Sequence, residues 1–207
     1  MQTDPRQEMI DAATDFYRRG WMVGTSGNLS ARIDRNSFWI TVSGRDKGAL
    51  AIEDFIRVST EGEVLERFHE NDRPSAETCI HQEIYTLFPE AGACFHVHTV
   101  PANLVSTLHS EPSIPLPPLE MIKGLGVWEE TPLVSLPVIS NHLDVPRVAQ
   151  KIRERFSAEK PQIPALLVHL HGTTTWGSTT RQTKNHVEIL EFILHYMVEA
   201  QKLSLQK

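Results

Sequence analysis

The stretch Ala93-Cys94-Phe95-His96-Val97-His98-Thr99 constrains this chain more than any other. Its apolar and polar residues alternate, which is the pattern of a strand. Side chains on a strand repeat every second residue, so His96 and His98 project from one face together with Cys94, and Phe95 and Val97 from the other. Two imidazoles held side by side in this way can share one metal ion. His171 lies in a second strand-like run, Leu166-Leu167-Val168-His169-Leu170-His171-Gly172. Three neutral imidazoles with one open position form a catalytic zinc site. The plainer reading stands beside it: in a chain with 10 histidines, a single His is usually a surface or hydrogen-bonded core residue, and an H-x-H pair arises by chance.

A chain of 207 residues can bury one sizeable core, and a single domain over residues 1–207 is expected. With a net charge of -6 and no run of Lys and Arg, the chain offers no basic face for nucleic acid. The opening Met-Gln-Thr-Asp-Pro has no basic segment followed by an apolar one, so no secretory signal is expected. No apolar run approaches the roughly 20 residues of a membrane span. A reducing cytoplasm fits best. The two cysteines, Cys79 and Cys94, do not form a C-x-x-C pair or a disulfide framework and read as small buried thiols. Cys94 shares a strand face with His96, which places it at the border of the metal pocket.

Helices and strands alternate along the chain. Asp4 caps a helix with Pro5 in its first turn and Gln7 reaching back, and Gly20 ends it. Phe38 to Ser43 reads as a strand, and Ile56-Arg57-Val58 and Glu63-Val64-Leu65 as short strands around a turn. Ser75 is an N-cap for a helix with Glu77 in its first turn, where the carboxylate complements the helix dipole. Pro101 opens a further helix. Ser113 to Leu119 is a proline-rich ordered loop, and Leu133 to Ile139 is strand-like but interrupted by Pro137, hence near a sheet edge. Asp144 caps a helix, Ala165 to His171 is a buried strand, Thr173 to Ser178 is a loop, and Thr180 opens the last helix. An α/β or α+β sandwich follows, with helices covering a central sheet.

Two loops have the composition of an anion cradle. Gly24-Thr25-Ser26-Gly27-Asn28-Leu29-Ser30 combines backbone freedom with hydroxyl and amide donors. Ser43-Gly44-Arg45-Asp46-Lys47-Gly48 adds two cations. Each also reads as an ordinary turn, with Arg45 and Lys47 solvated. Glu77 and Glu120 are candidate acid/base groups.

Taken in order, Gly24 to Ser30, Ser43-Gly44, Pro74-Ser75-Ala76-Glu77, His96-Val97-His98-Thr99 and His171-Gly172 closely resemble the class II aldolase/adducin-like family. The resemblance spans most of the chain. It implies a three-layer αβα sandwich around a mostly antiparallel central sheet, one Zn2+ per subunit, and a homotetramer with active sites between subunits. His96, His98 and His171 match the family's zinc ligands. Asn28, Ser43, Gly44 and Ser75 match positions near the substrate phosphate, and Glu77 matches the carboxylate that aldolases of the family use as base.

Within the family, Glu120-Met121-Ile122-Lys123-Gly124 is similar to a dehydratase branch, in which Glu120 matches the acid/base. That similarity implies loss of water from a 2-keto sugar phosphate with an apolar methylthio end, for which Trp176 or Met121 are candidate contacts. Animal members of the branch carry cysteine where this chain has Glu77. Its role therefore stays open among further ligand, second acid/base and passive neighbour. The alternatives are an aldolase or 4-epimerase acting on a sugar phosphate and, more remotely, a non-catalytic scaffold of the adducin kind.

Overall fold

A computed structural model describes residues 4–109 and 112–205. Met1 to Thr3, which belong to the segment read for a secretory signal, lie outside the described residues. Five helices and nine strands follow in chain order: α1 (Pro5–Arg18), β1 (Asn28–Asp34), β2 (Ser37–Thr41), β3 (Phe55–Ser59), β4 (Val64–Glu66), α2 (Thr78–Leu87), β5 (Ala93–Val97), α3 (Val100–Leu108), β6 (Ser113–Pro115), β7 (Ser135–Ile139), α4 (Val145–Ala158), β8 (Ala165–Val168), β9 (Gly172–Gly177) and α5 (Thr180–Ser204). The strands form one sheet in the order β4-β3-β2-β1-β5-β9-β8-β7-β6. Among these pairings only β7 with β8 is parallel. The mostly antiparallel sheet is as the family resemblance implied.

Alternation along each strand divides the core between the two faces of the sheet. On one face Phe38, Ile40, Ile56, Cys94, Leu166 and Trp176 pack under Ile80, Ile84 and Tyr85 of α2 and Val148, Ile152 and Phe156 of α4. On the other, Leu29, Phe95 and Val97 meet Met9 and Phe16 of α1 and Val187 of α5. Further along that face, Ile114, Leu136 and Leu167 meet α3 and the rest of α5. The result is three layers, helix, sheet and helix. Phe16 and Phe95 meet edge to face at 6.2 Å. Truncating either ring to Ala should cost about 3–5 kcal/mol through lost transfer energy and the cavity left behind.

Several local expectations are corrected. The helix expected from Ser75 begins at Thr78. Ser75 instead shapes the turn before it, accepting from the Glu77 amide at 3.3 Å and, through its carbonyl, from Thr78. Gln7 does not reach back to Asp4; its side chain donates to Asp11, and the Asp4 carboxylate takes the Arg6 amide. The strand expected over Ala165 to His171 stops at Val168. The chain then turns through Leu170 at φ 50°, so His171 sits on a turn. Of the loop expected over Thr173 to Ser178, all but Ser178 belongs to strand β9, which is buried throughout. The first three residues of the proline-rich segment form β6, the edge strand. Pro137 lies one strand inward, opposite Ser113. Among the described residues, no helix is long and apolar enough to cross a membrane.

Candidate metal centre

Sheet register builds the centre. Asn28 of β1 and Thr174 of β9 are the partners of His96 on either side, so the three side chains stand in a row across three strands. The His96 Nδ1 lies 2.9 Å from the Thr174 hydroxyl. Its Nε2 points at the Nε2 of His98, 2.8 Å away. His171 is delivered by the β8–β9 turn. The turn comes so close to β5 that a Cβ on Gly172 would stand 2.2 Å from the Val97 carbonyl oxygen. The rings of His96, His98 and His171 are mutually steep, with centroids 4.5, 4.8 and 4.9 Å apart. Glu77, at the start of α2, closes the group: its Oε1 is 2.8 Å from the His171 Nε2 and its Oε2 is 3.5 Å from the His96 Nε2. One donor atom from each of the four lies within 4.8 Å of the others.

The electrostatics suit a cation. Burial holds the imidazoles of His96 and His98 down to about 4 and about 3. Both are therefore neutral at pH 7, the form that carries a ligand lone pair. Burial works against the charge on Glu77, but His96 and hydrogen bonds from His171 and Asn28 outweigh it and hold the carboxyl below the usual carboxylate range. If the Thr174 hydroxyl accepts the Nδ1 proton of His96, the His96 Nε2 turns a lone pair into the cluster. The Nδ1 of His171 is buried without a hydrogen-bond partner. Three nitrogens and an ionised oxygen turned toward one point fit a divalent metal.

A cavity of about 220 Å³ opens beside this group, lined by Gly27, Asn28, Ser43, Gly44, Lys47, Ser75, Glu77 and His98. The structure thus brings the four expected phosphate-side residues together with the cluster. Lys47, in a loop read either as a phosphate cradle or as a solvated turn, is only 1% exposed. Its ammonium donates to the carbonyls of Thr25 and Arg45 at 3.0 and 2.9 Å. Burial lowers its pKa, opposed by Asp46, Asp54 and Glu77. No carboxylate pairs with it among the described residues, so it gives the cavity a buried positive charge. Arg45, by contrast, is held in ion pairs with Asp54 and Asp72.

Other expected residues fall elsewhere. Glu120 lies on a 3-10 turn, Glu120–Leu125, with its side chain 85% exposed and 3.1 Å from Lys123; it does not join the histidine cluster of its own chain. Met121 lines a different cleft, with Trp21 and Phe192. Trp176 is a core residue stacked on Phe88 at 4.7 Å. Cys94 is packed in the core below α2, not in the cavity lining. Sequence reasoning misses Thr174, hidden in a segment that reads as a loop. It also misses His81, whose Nε2 lies 2.5 Å from the Asn28 carboxamide oxygen. A lone histidine on a helix gives no signal by itself. The Thr run at 173–175 is the available clue to a strand.

Comparisons with known proteins agree with this architecture. The family model described as Class II Aldolase and Adducin N-terminal domain matches residues 7–198. The chain is 54% identical over 198 residues to the methylthioribulose-1-phosphate dehydratase of Microcystis aeruginosa, covering 96% of this chain and 97% of that one. It is 41% identical to the enzyme of that name from Leptospira biflexa, covering 92% and 95%. Two solved structures share the fold. An L-fuculose 1-phosphate aldolase superposes with a TM-score of 0.79 at 22% identity, covering 98% of this chain and 89% of that one. The L-fuculose-1-phosphate aldolase of Thermus thermophilus superposes with a TM-score of 0.75 at 22% identity, covering 95% and 94%. The chain belongs to the class II aldolase and adducin N-terminal domain family.

Proposed function

We propose that this chain is a zinc-dependent dehydratase that converts 5-methylthioribulose 1-phosphate to 5-methylthio-2,3-dioxopentyl phosphate in methionine salvage. The observation that carries the reading is the meeting, in one cavity, of a four-donor metal cluster with a cradle containing a buried ammonium. The choice of dehydration among the reactions such a cluster can serve rests on similarity over nearly the full length to dehydratases of that name.

His96, His98 and His171 hold the zinc, and Glu77 offers a fourth donor atom to the same point. When bound, zinc supplies a Lewis acid that makes a proton beside a carbonyl acidic. The substrate phosphate is seated by Asn28, Ser43, Gly44, Ser75 and Lys47, which fixes the distance from phosphate to reacting carbons. Glu120 removes the carbon-3 proton and passes it to the carbon-4 hydroxyl, which leaves as water. The carbon-3 enol then takes up a proton at carbon 4 and becomes the second ketone. The exposed position of Glu120, away from the cluster of its own chain, supports a role for this carboxylate in the site of a neighbouring subunit of a homotetramer.

Dehydrated diketone should form from methylthioribulose 1-phosphate, zinc should be found on elemental analysis, and Glu120→Gln should retain zinc while losing most turnover. Mixing inactive Glu120→Gln with inactive His96→Ala, under conditions that exchange subunits, should restore about a quarter of wild-type turnover through sites that combine an intact half from each. No recovery would refute the shared site, and full turnover by Glu120→Gln would refute the acid/base assignment. Glu77 inside the cluster favours a second reading, an aldolase; aldehyde instead of diketone as the product would select it.

A further inference from the structure

The helix α2 and the strand β1 are locked together by a zigzag of buried hydrogen bonds that ends on Glu77. Glu77, His81 and Tyr85 are four residues apart on or beside α2 and share one face. Asn28 and Ser30 are two apart on β1 and share one face. Four residues of helix advance about 6 Å and two of strand about 6.8 Å, so the two sets interleave. Tyr85 lies 2.7 Å from the Ser30 hydroxyl. Ser30 lies 2.7 Å from the His81 Nδ1, His81 Nε2 lies 2.5 Å from the Asn28 Oδ1, and the Asn28 Nδ2 donates to the Glu77 Oε2 at 2.5 Å. Asn28, Ser30, His81 and Tyr85 are at most 2% exposed, so water cannot stand in for a missing partner.

The direction of every proton in this chain follows from the carboxylate at its end. An ionised Glu77 only accepts, so Asn28 must present its NH2 to it and its oxygen to His81. His81 must then carry its proton on Nε2, which leaves Nδ1 as an acceptor. Ser30 must give its single proton to that Nδ1 and accept from Tyr85. The competing acceptor for Ser30, the Cys94 carbonyl, is farther away at 3.3 Å. If it took the Ser30 proton, His81 would have to donate from Nδ1 and turn a bare Nε2 against the Asn28 oxygen. Burial keeps the His81 ring neutral at pH 7, with its pKa near 4.

We propose that Tyr85, Ser30 and His81 are positioning residues that fix the orientation of the Asn28 carboxamide, and through it the Glu77 carboxylate, for the reaction. Freed from His81, the amide of Asn28 can turn its oxygen toward Glu77 and repel it. The proposal rests on the reading of the cavity as the dehydratase site, in which Asn28 and Glu77 both face the substrate. Nothing in the chain of bonds requires Tyr85 or His81 to touch substrate or to exchange protons with it.

The test has two independent readouts on the full-length, zinc-loaded protein. Nitrogen-15 spectra of histidine-labelled, substrate-free protein should show His81 neutral with its proton on Nε2. A proton on Nδ1, or a charged ring, overturns the ordering. Separately, His81→Leu removes the donor, whereas His81→Gln keeps an N–H for Asn28 and a carbonyl oxygen that still accepts from Ser30. His81→Leu should lower kcat roughly ten- to a hundredfold, the scale of a buried acceptor left unpaired, with KM raised as well because Asn28 also seats the phosphate. His81→Gln should recover most of that loss. A folded His81→Leu with wild-type kcat, or a folded His81→Gln as impaired as His81→Leu, overturns the positioning role. If His81→Leu fails to fold, Ser30→Ala serves: the Asn28 oxygen still holds the His81 proton on Nε2, so the tautomer should be unchanged while kcat falls, and a proton moved to Nδ1 or a wild-type kcat overturns the proposal. Wild-type protein that forms no diketone but shows the expected tautomer supports the ordering and sinks only the dehydratase reading.

Discussion

Replacing Gly172 by Ala tests how tightly the metal centre depends on sheet packing. The added Cβ would meet the Val97 carbonyl oxygen at 2.2 Å, where about 3.0 Å is the closest approach a Cβ tolerates. The obstacle is backbone, between the two ligands His96 and His98, so it cannot swing aside. The start of β9 must therefore withdraw from β5 by at least about 0.8 Å, and it carries the adjacent His171 with it. Metal–ligand distances tolerate only about 0.2 Å, so the third imidazole is pulled out of range. Gly172 has no positive φ, so backbone conformation adds nothing to the effect. The overpacking itself should cost about 1–3 kcal/mol, or about 2–12 °C in Tm for a chain of this size. Competition against a chelator should show zinc affinity reduced at least about tenfold, with Tm lowered in both the presence and the absence of metal. Gly177→Ala, at the far end of β9, is the control: its Cβ would meet the Thr183 hydroxyl at 3.0 Å, and zinc affinity should not change. Wild-type zinc affinity in Gly172→Ala would refute the argument that the strand contact sets the position of His171.

Other expectations concern single side chains. Burial raises the fully enclosed Glu191 carboxyl from 4.5 to about 7, against the pull of hydroxyls from Thr99 and Thr173. Between those values the native state holds a proton that the unfolded state has released, so stability falls as pH rises, by about 3 kcal/mol in all. Glu191→Gln should remove that slope, and denaturant titrations at pH 5 and pH 8 should show the variant gaining on wild type at the higher pH; an equal difference at both would count against it. Lys47→Met keeps the buried volume and removes the charge. KM for the phosphorylated substrate should rise roughly ten- to a hundredfold, as expected for losing a hydrogen bond between charged groups, with kcat little changed. Thr174→Val leaves the His96 Nδ1 without its partner at 2.9 Å; zinc affinity measured by chelator competition should drop about 10- to 100-fold, and no change would remove Thr174 from the supporting shell.

The legible part of this protein is the part set by local periodicity. The alternation at Ala93 to Thr99 places His96 and His98 on one face; Asn28, Ser43, Gly44 and Ser75, which line the cavity beside them, are legible only through the family resemblance. What fails to show are features decided by tertiary contact. His171 reads as part of a strand because Leu166 to Leu170 is apolar, yet the chain leaves the sheet after Val168 and reverses through Leu170 in a left-handed conformation. The Thr173–Trp176 run is polar enough for a loop, but its hydroxyls are satisfied by His96, Glu191 and Thr183, so it is buried as a strand. Lys47 also reads as solvated, because a lone lysine in a Gly-rich loop usually is. A carbonyl of its own loop, from Arg45, and one from the distant Gly-rich turn, from Thr25, take its ammonium instead. Glu120 is visible as a motif, but no reading of one chain can tell that it stands away from its own cluster.

The place of β5 in the sheet has a dynamic consequence. With four strands on either side, its amides belong to the region that exchanges with solvent only when the whole sheet opens. The His171 turn lies outside that ladder, held by the His171 amide to Val168 and by Asn103 and Ser106 of α3, and can open by breaking these few bonds. Two ligands therefore share the lifetime of the fold and the third has the lifetime of a turn. A metal held by this cluster would leave by way of His171, at a rate that substitutions in the β8–β9 turn should tune without touching the geometry at His96 and His98.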